Sequence, residues 1–220
     1  VRRGPIVRLR METNGVDVDR IEEKARRVLA GVPEYVWGGE SLPVPVDEIC
    51  GDEFGLLVRL VEDLSTAPGC ENIAPDKLSG LLLTGPGEIW VNATEASRWE
   101  GRRRFPISHE LGHYVMHQDV GPRIFCRSIV EGTERFAQSD PEPGGEDGNV
   151  SGVEPEPEAD PETRLTGGAK SVPELEANAF AAALMMPRHL FIEQYERHGE
   201  DISHLCKKFG ASEKAMLHAE

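Results

Sequence analysis

The segment HELGH, residues 109–113, constrains the fold of this chain more than any other stretch of its sequence. A helix brings His109 and His113 to one face, about one turn apart, so both imidazoles can bind a single zinc ion. Glu110 lies beside them, close enough to contact a water molecule at the metal. The spacing therefore predicts a helix that carries a metal site and a general base.

The residues around HELGH predict which way this helix faces. At about 100° per residue, the side opposite the histidines is apolar and carries Ile107, Leu111, Tyr114 and Val115. We expect that side to face the core and the histidines to face a cleft. Gly112 costs about 1 kcal/mol relative to alanine inside a helix, which suggests close packing against the backbone there. Pro106 is expected in the first helical turn.

A third ligand can come from a second predicted helix in SVPELEANAFAAALMMP, residues 171–187. Glu174 and Asn178 are four residues apart and share a face, so this helix can offer a carboxylate and, one turn on, an amide. Glu176 lies about 200° around the helix from Glu174 and is expected to point away from the site. A capping box with Ser171 is the alternative role for Glu174.

Two further side chains near HELGH could take part in the site. His117 continues the four-residue spacing, but it lies about 12 Å along the axis from His109, too far for three imidazoles to converge on one ion. We expect it to support a ligand from behind or to be solvated. Asp119 has the spacing of the last ligand in HExxHxxGxxH sites, but Met116 stands where such sites need a glycine.

The chain is acidic, with a net charge of −15, but much of this charge is concentrated in one stretch. Residues 140–162 hold nine carboxylates and no lysine or arginine, which leaves a net charge of −6 for the other residues. This balance argues against direct binding to nucleic acid or to an anionic membrane. Residues 139–168, rich in proline, glycine and acidic side chains, are expected to form a disordered insertion.

The rest of the sequence predicts one domain. It would span residues 17–220, interrupted by the insertion and preceded by a flexible extension, residues 1–16. The chain has no apolar run of the length of a membrane span or a signal peptide, which predicts a cytoplasmic protein. The cysteines lie far apart without a CxxC pair, as expected for reduced thiols; they are Cys50, Cys70, Cys126 and Cys206.

The apolar patterns predict an α+β domain. A helix is expected over residues 20–30, a strand within FGLLVRLVEDL (residues 54–64), and a last helical pair over residues 202–218. Leu81–Leu83 and Ile89–Val91 flank Gly85–Pro86–Gly87, which indicates a hairpin in a small antiparallel sheet. An extended peptide could pair with the strand Ile89–Asn92 if that strand is an edge of the sheet.

Together these motifs resemble the ImmA/IrrE-type zinc metallopeptidases, which are cytoplasmic gluzincins. The resemblance covers residues 20–218 apart from the insertion, and its specific parts are RRRFPISHELGHYVMH (102–117), ELEANAFAAALMMP (174–187), the preceding hairpin and LCKKFGAS (205–212). It implies a zincin-like fold with a small antiparallel sheet, an HExxH helix and a second metal-ligand helix. Pro106, often threonine in relatives, and the length of the insertion depart from the family pattern.

The resemblance also implies roles for individual residues. His109, His113 and Glu174 would bind zinc, Glu110 would be the general base, and Asn178 would support the ligands. A donor to the substrate carbonyl could be Arg104, Tyr195, His189 or His204, and the sequence does not choose among them.

The expected partner is a protein: a helix-turn-helix repressor encoded nearby, cleaved to relieve repression. A catalytically silent, zinc-stabilised protein that binds a partner is the alternative, although a purely structural metal site would not need Glu110. DNA binding through residues 202–218 is disfavoured, because the basic residues of this stretch are only Lys207, Lys208 and Lys214.

Overall fold

The structure is a computed structural model. It describes residues 16–68, 70, 78–117, 172–199 and 201–217, and the backbone of residues 124–128. The expected insertion, residues 139–168, and the expected extension except for Val16 lie outside the described residues. Val16 is buried in the core just before the first helix.

The described part of the chain is a mixture of helices and strands, which confirms the α+β class. The helices are α1 (Val18–Gly31), α2 (Val46–Phe54), α3 (Ala93–Arg98), α4 (Glu100–Met116), α5 (Val172–Met185), α6 (Arg188–His198), α7 (Ile202–Phe209) and α8 (Glu213–Leu217). The strands are β1 (Leu57–Val61), β2 (Leu78–Leu83), β3 (Glu88–Asn92) and β4 (Ile124–Ser128).

Short-range signals set the ends of several elements. The Asp17 side chain accepts a hydrogen bond from the backbone N–H of Arg20 and so caps α1. Asn92 caps α3 in the same way through Glu95. Gly55 and Gly210 take left-handed backbone conformations at the ends of α2 and α7, which glycine allows without strain.

The sheet has the strand order β1-β3-β2-β4. The predicted hairpin is present, with Leu82 of β2 opposite Ile89 of β3 in an antiparallel pair. However, β1 pairs with β3 in parallel, so the expectation of a purely antiparallel sheet is wrong. The expectation that β3 could serve as an edge is wrong too, because β1 covers the side of β3 that faces away from β2. Among the described strands, β1 and β4 are the edges.

Strand β2 separates two apolar clusters because its side chains alternate between the faces of the sheet. Leu82 joins the large core formed with the helices. Leu81 and Leu83 face the opposite way, into a smaller cluster with Leu64 and Cys70. All residues of β2 are buried, so this strand forms the centre of the described fold.

Helix α4 crosses the sheet with its apolar side in the core, as predicted, since Ile107, Leu111 and Val115 are buried. The expectation that Pro106 lies in the first turn is wrong, because α4 begins at Glu100 and Pro106 lies inside it. An interior proline removes one helical hydrogen bond and generally costs about 3 kcal/mol. Tertiary packing offsets this cost, since α4 is held between the sheet and α5.

No helix among the described residues is both long and apolar enough to cross a membrane.

Candidate metal centre

Helices α4 and α5 approach each other closely at Gly112. A Cβ atom at this position would lie 3.1 Å from both the Cα atom and the carbonyl oxygen of Ala177, and 3.2 Å from the ring of Phe180. The absence of a side chain at Gly112 therefore allows the two backbones to come together. The prediction of close packing at Gly112 is confirmed. This approach carries the first turn of α5 over the histidines of α4.

The structure brings together the three side chains expected to bind the metal. Nε2 of His109 and Nε2 of His113 are 3.1 Å apart. Glu174 in the first turn of α5 places Oε2 3.3 Å from Nε2 of His109 and Oε1 3.1 Å from Nε2 of His113. Among the described residues, these three form the group of histidine and carboxylate ligands that could hold a metal ion.

The sequence predicted that the histidines face a cleft, but in the structure they are buried. His109, Glu110 and His113 are 0–1% exposed, as deeply buried as the apolar side of the same helix. Glu174 is the most exposed of the metal-ligand group, with 28% of its side chain accessible. Helix α4 is therefore buried on both sides, against the sheet and against α5, and Glu174 is the member of the metal-ligand group that solvent reaches.

Glu174 is held as an ionised carboxylate. Burial alone raises the pKa of this carboxyl, but the hydrogen bonds and charges of His109 and His113 outweigh burial and hold the pKa well below its usual range. Both carboxylate oxygens face a histidine. The alternative role of Glu174, in a capping box with Ser171, is not tested because Ser171 lies outside the described residues.

Asn178 lies behind His109, on the side of the ring away from the cluster. Its Oδ1 atom is 3.1 Å from Nδ1 of His109. An amide oxygen accepts hydrogen bonds, so His109 donates through Nδ1, and a neutral His109 then has its lone pair on Nε2. This contact orients the imidazole for a metal ligand, and it comes from the amide one turn after Glu174.

His117 and Glu176 form a second contact between the same two helices. Nδ1 of His113 lies 3.3 Å from Nδ1 of His117, and Nε2 of His117 lies 3.0 Å from Oε2 of Glu176. The expectation that Glu176 points away from the site is therefore wrong. The prediction compared the direction of Glu176 only with that of His109 and His113. Helix α4 continues to Met116, and His117 at its end lies beside the first turns of α5, where Glu176 contacts it.

Glu110 is packed against strand β2 at Gly80. A Cβ atom at Gly80 would lie only 3.0 Å from Oε1 of Glu110 and 3.3 Å from Cβ of Pro106. Gly80 therefore leaves the space that the Glu110 carboxylate occupies. This role was not predicted from the sequence, although a glycine inside a predicted strand is a known sign of a close approach.

The donor set fits a zinc ion. In tetrahedral coordination with bonds of about 2.0–2.1 Å, neighbouring ligand atoms are about 3.3 Å apart, close to the distances of 3.1–3.3 Å observed here. Two imidazole lone pairs and a carboxylate repel one another unless a positive charge, from protons or from a metal ion, lies among them. Two histidines and one carboxylate are also a common ligand set of catalytic zinc sites, in which a fourth position is left for water.

The structure does not favour any of the four candidate donors to a substrate carbonyl. Arg104 is buried and donates a hydrogen bond to the carbonyl of Val44. The other three extend from α6 and α7: the ring of Tyr195 stacks on Phe191, His189 contacts the carbonyl of Gly39, and His204 stacks on His198. Asp119, the alternative third ligand, lies outside the described residues.

Comparison with protein families gives one match. Residues 163–219 match the model described as the IrrE N-terminal-like domain, Peptidase_M78. The resemblance to the ImmA/IrrE family is confirmed. The matched stretch contains Glu174, Glu176 and Asn178, begins after HELGH, and supports a metallopeptidase-like function.

Comparison with solved structures finds a chain described as a Mycobacterium tuberculosis transcriptional regulator, at 17% identity and a TM-score of 0.49. The alignment covers 94% of this chain and 48% of that one, so this chain spans about half of the other's length. A comparison with curated proteins gives no match.

Proposed function

We propose that this protein is a zinc-dependent endopeptidase of the ImmA/IrrE type with a zincin-like domain. The observation that carries the proposal is the convergence of His109, His113 and Glu174 within 3.1–3.3 Å, next to the buried Glu110. The domain would span residues 17–220 around the acidic insertion. A metallopeptidase-like family match over residues 163–219 supports this function independently of the HELGH motif.

The residues of the site would divide the chemistry among them. His109, His113 and Glu174 would hold zinc, which, when bound, supplies a polarised water and stabilises charge on the peptide carbonyl oxygen. Glu110 would act as the general base: its carboxylate accepts the proton of the attacking water and donates it to the nitrogen of the departing amine. Gly80 leaves the space that the Glu110 carboxylate occupies against strand β2.

The substrate would bind as an extended strand. Helix α4 packs against β2, β3 and β4, and β4 is an edge of the described sheet. A peptide that pairs with the free edge of β4 would extend the sheet by one strand, with β4 between it and β2, the strand that carries Gly80. The proposed substrate is a helix-turn-helix repressor encoded nearby, and its cleavage would relieve repression.

The test is to incubate the repressor encoded next to this gene with zinc-loaded protein and to follow cleavage by mass spectrometry. Wild-type protein should cut at one site. Glu110→Gln should keep its zinc but lower the rate by about 100-fold or more, because the amide cannot accept the proton. Glu193→Gln, at a half-exposed position on α6, is the control and should behave as wild type. Equal relief of repression in cells by wild type and Glu110→Gln would instead support a silent regulatory protein.

A further inference from the structure

A chain of three side chains runs from the metal-ligand group to the surface of the α4–α5 contact. It leads from His113 through His117 to Glu176, with the two contacts of 3.3 Å and 3.0 Å described above. The His113 side chain is fully buried, and those of His117 and Glu176 are 11% and 17% exposed. We name this set the Glu176 relay. It links the C-terminal end of α4 to the first turns of α5.

The order of donors and acceptors in the Glu176 relay follows from Glu176. An ionised carboxylate only accepts hydrogen bonds, so Nε2 of His117 must carry the proton of this contact. In a neutral His117, Nδ1 then has a lone pair and can only accept. Nδ1 of His113 must therefore donate to it. A neutral His113 that is protonated at Nδ1 keeps its lone pair on Nε2, the atom that faces His109 and Glu174.

We propose that Glu176 and His117 are positioning residues that fix the orientation and the tautomer of the zinc ligand His113. This inference rests on the proposed zinc site and adds to it two residues outside the metal-ligand group. The two ligand histidines would then be held in matching ways: Asn178 accepts from Nδ1 of His109, and His117 accepts from Nδ1 of His113. Partners of this kind fix the metal-binding nitrogen of a histidine ligand.

A purely structural role for the same contact makes a different prediction. If His117 and Glu176 only link the ends of α4 and α5, their loss would lower the melting temperature and leave the ring of His113 unchanged. If they form a relay, their loss would weaken zinc binding and change which nitrogen of His113 is protonated. The two residues would also act as one unit, since Glu176 contacts His117 and His117 contacts His113.

The first measurement is the zinc dissociation constant of the full chain, obtained by competition with a chelator. Glu176→Ala and His117→Ala should each bind zinc about 10- to 100-fold more weakly than wild type. The double variant should bind no more weakly than His117→Ala alone, because both changes break the same chain. Glu176→Gln should lose less affinity than Glu176→Ala, since its amide oxygen can still accept from His117. Glu193→Ala on α6 is the control, since Glu193 pairs with Arg197 of the same helix.

The second measurement does not need zinc. Long-range ¹H–¹⁵N NMR spectra of the metal-free full chain, recorded at about pH 8, above the usual histidine pKa of about 6.5, report which ring nitrogens carry protons. Nδ1 of His113 should be protonated in wild type and in Glu176→Gln. It should lose this proton in His117→Ala, and Glu176→Ala should shift it in the same direction.

The outcomes separate this inference from the proposed function. The relay would be contradicted if both alanine variants bound zinc as tightly as wild type, or if the two losses of affinity multiplied in the double variant. Neither result would contradict the zinc site itself. An unchanged Nδ1 proton on His113 in His117→Ala would overturn the relay as well. A wild-type protein that binds no zinc would contradict the proposed function, and the metal-free spectra would then decide on the relay alone.

Discussion

At the scale of single residues, the assignment of Glu174 as a ligand gives a clear prediction. Glu174→Gln removes a charged oxygen that faces both histidines, so bound zinc should be lost or weakened at least about 10-fold. If Glu174 instead caps α5, the same change would leave zinc in place and alter the free energy of unfolding little, because glutamine also completes a capping box. Zinc content by mass spectrometry, measured beside a thermal melt, distinguishes the two roles. Glu193→Gln is the control.

Gly80 gives a second prediction at this scale. Gly80→Ala would place a methyl group about 3 Å from the Glu110 carboxylate, which must then shift within a buried site. Zinc content should stay at the wild-type level, while the cleavage rate falls by about 10- to 100-fold because the base is displaced. Gly85→Ala is the matched control, since its Cβ would meet nothing within 4 Å. Equal cleavage rates in both variants would show that Glu110 does not depend on Gly80.

The sequence predicted the central residues of the candidate site and two of their neighbours, Asn178 and His117, but not Glu176 or Gly80. His109, Glu110 and His113 follow from one helical turn, and Glu174 follows from a face shared with Asn178. Those patterns are local. The positions of Glu176 and Gly80 depend on how α5 and β2 lie against α4, and the spacing of residues within one element holds no information about that packing.

At the scale of elements, the contact between α4 and α5 determines the geometry of the site. Gly112→Ala would push a methyl group into the backbone of Ala177, where no side-chain rearrangement can relieve the contact. We expect a loss of about 1–3 kcal/mol in the free energy of unfolding and weaker zinc binding, because Glu174 would move away from the histidines. Denaturant titration and chelator competition measure the two effects.

The matched control for Gly112→Ala is Gly51→Ala. Gly51 is an exposed position in α2, and its Cβ would meet nothing within 4 Å. The same chemical change should there raise stability by up to about 1 kcal/mol through helix propensity. Similar stability changes of the same sign at both positions would mean that close packing at Gly112 is not what holds the two helices together.

The elements themselves were predictable where the signal is periodic and local. The helices near residues 20–30 and 171–187 and the β2–β3 hairpin follow from apolar spacing and turn residues. The parallel pairing of β1 with β3 did not follow, because pairing between strands far apart in sequence leaves no local pattern. Pro106 does not mark the start of α4, because tertiary packing outweighs the free-energy cost of a proline inside the helix.

At the scale of the whole molecule, the acidic insertion should be separable from the metal site. Its composition cannot bury enough apolar surface to offset the entropy of ordering. Replacing residues 140–168 by a short Gly-Ser linker should therefore leave zinc content and the melting temperature unchanged, as measured on the purified protein. Loss of zinc in this variant would mean that the insertion takes part in the site.

The most direct test of the zinc assignment is X-ray absorption at the zinc edge of the purified full chain. We predict one zinc per chain, with two imidazole nitrogens at about 2.0–2.1 Å and oxygen ligands at about 2.0–2.2 Å, one of them from Glu174. The carboxylate contribution should disappear, or the bound zinc be lost, in Glu174→Gln. Sulfur ligands at about 2.3 Å, or a spectrum that Glu174→Gln leaves unchanged, would contradict a zinc centre built from His109, His113 and Glu174.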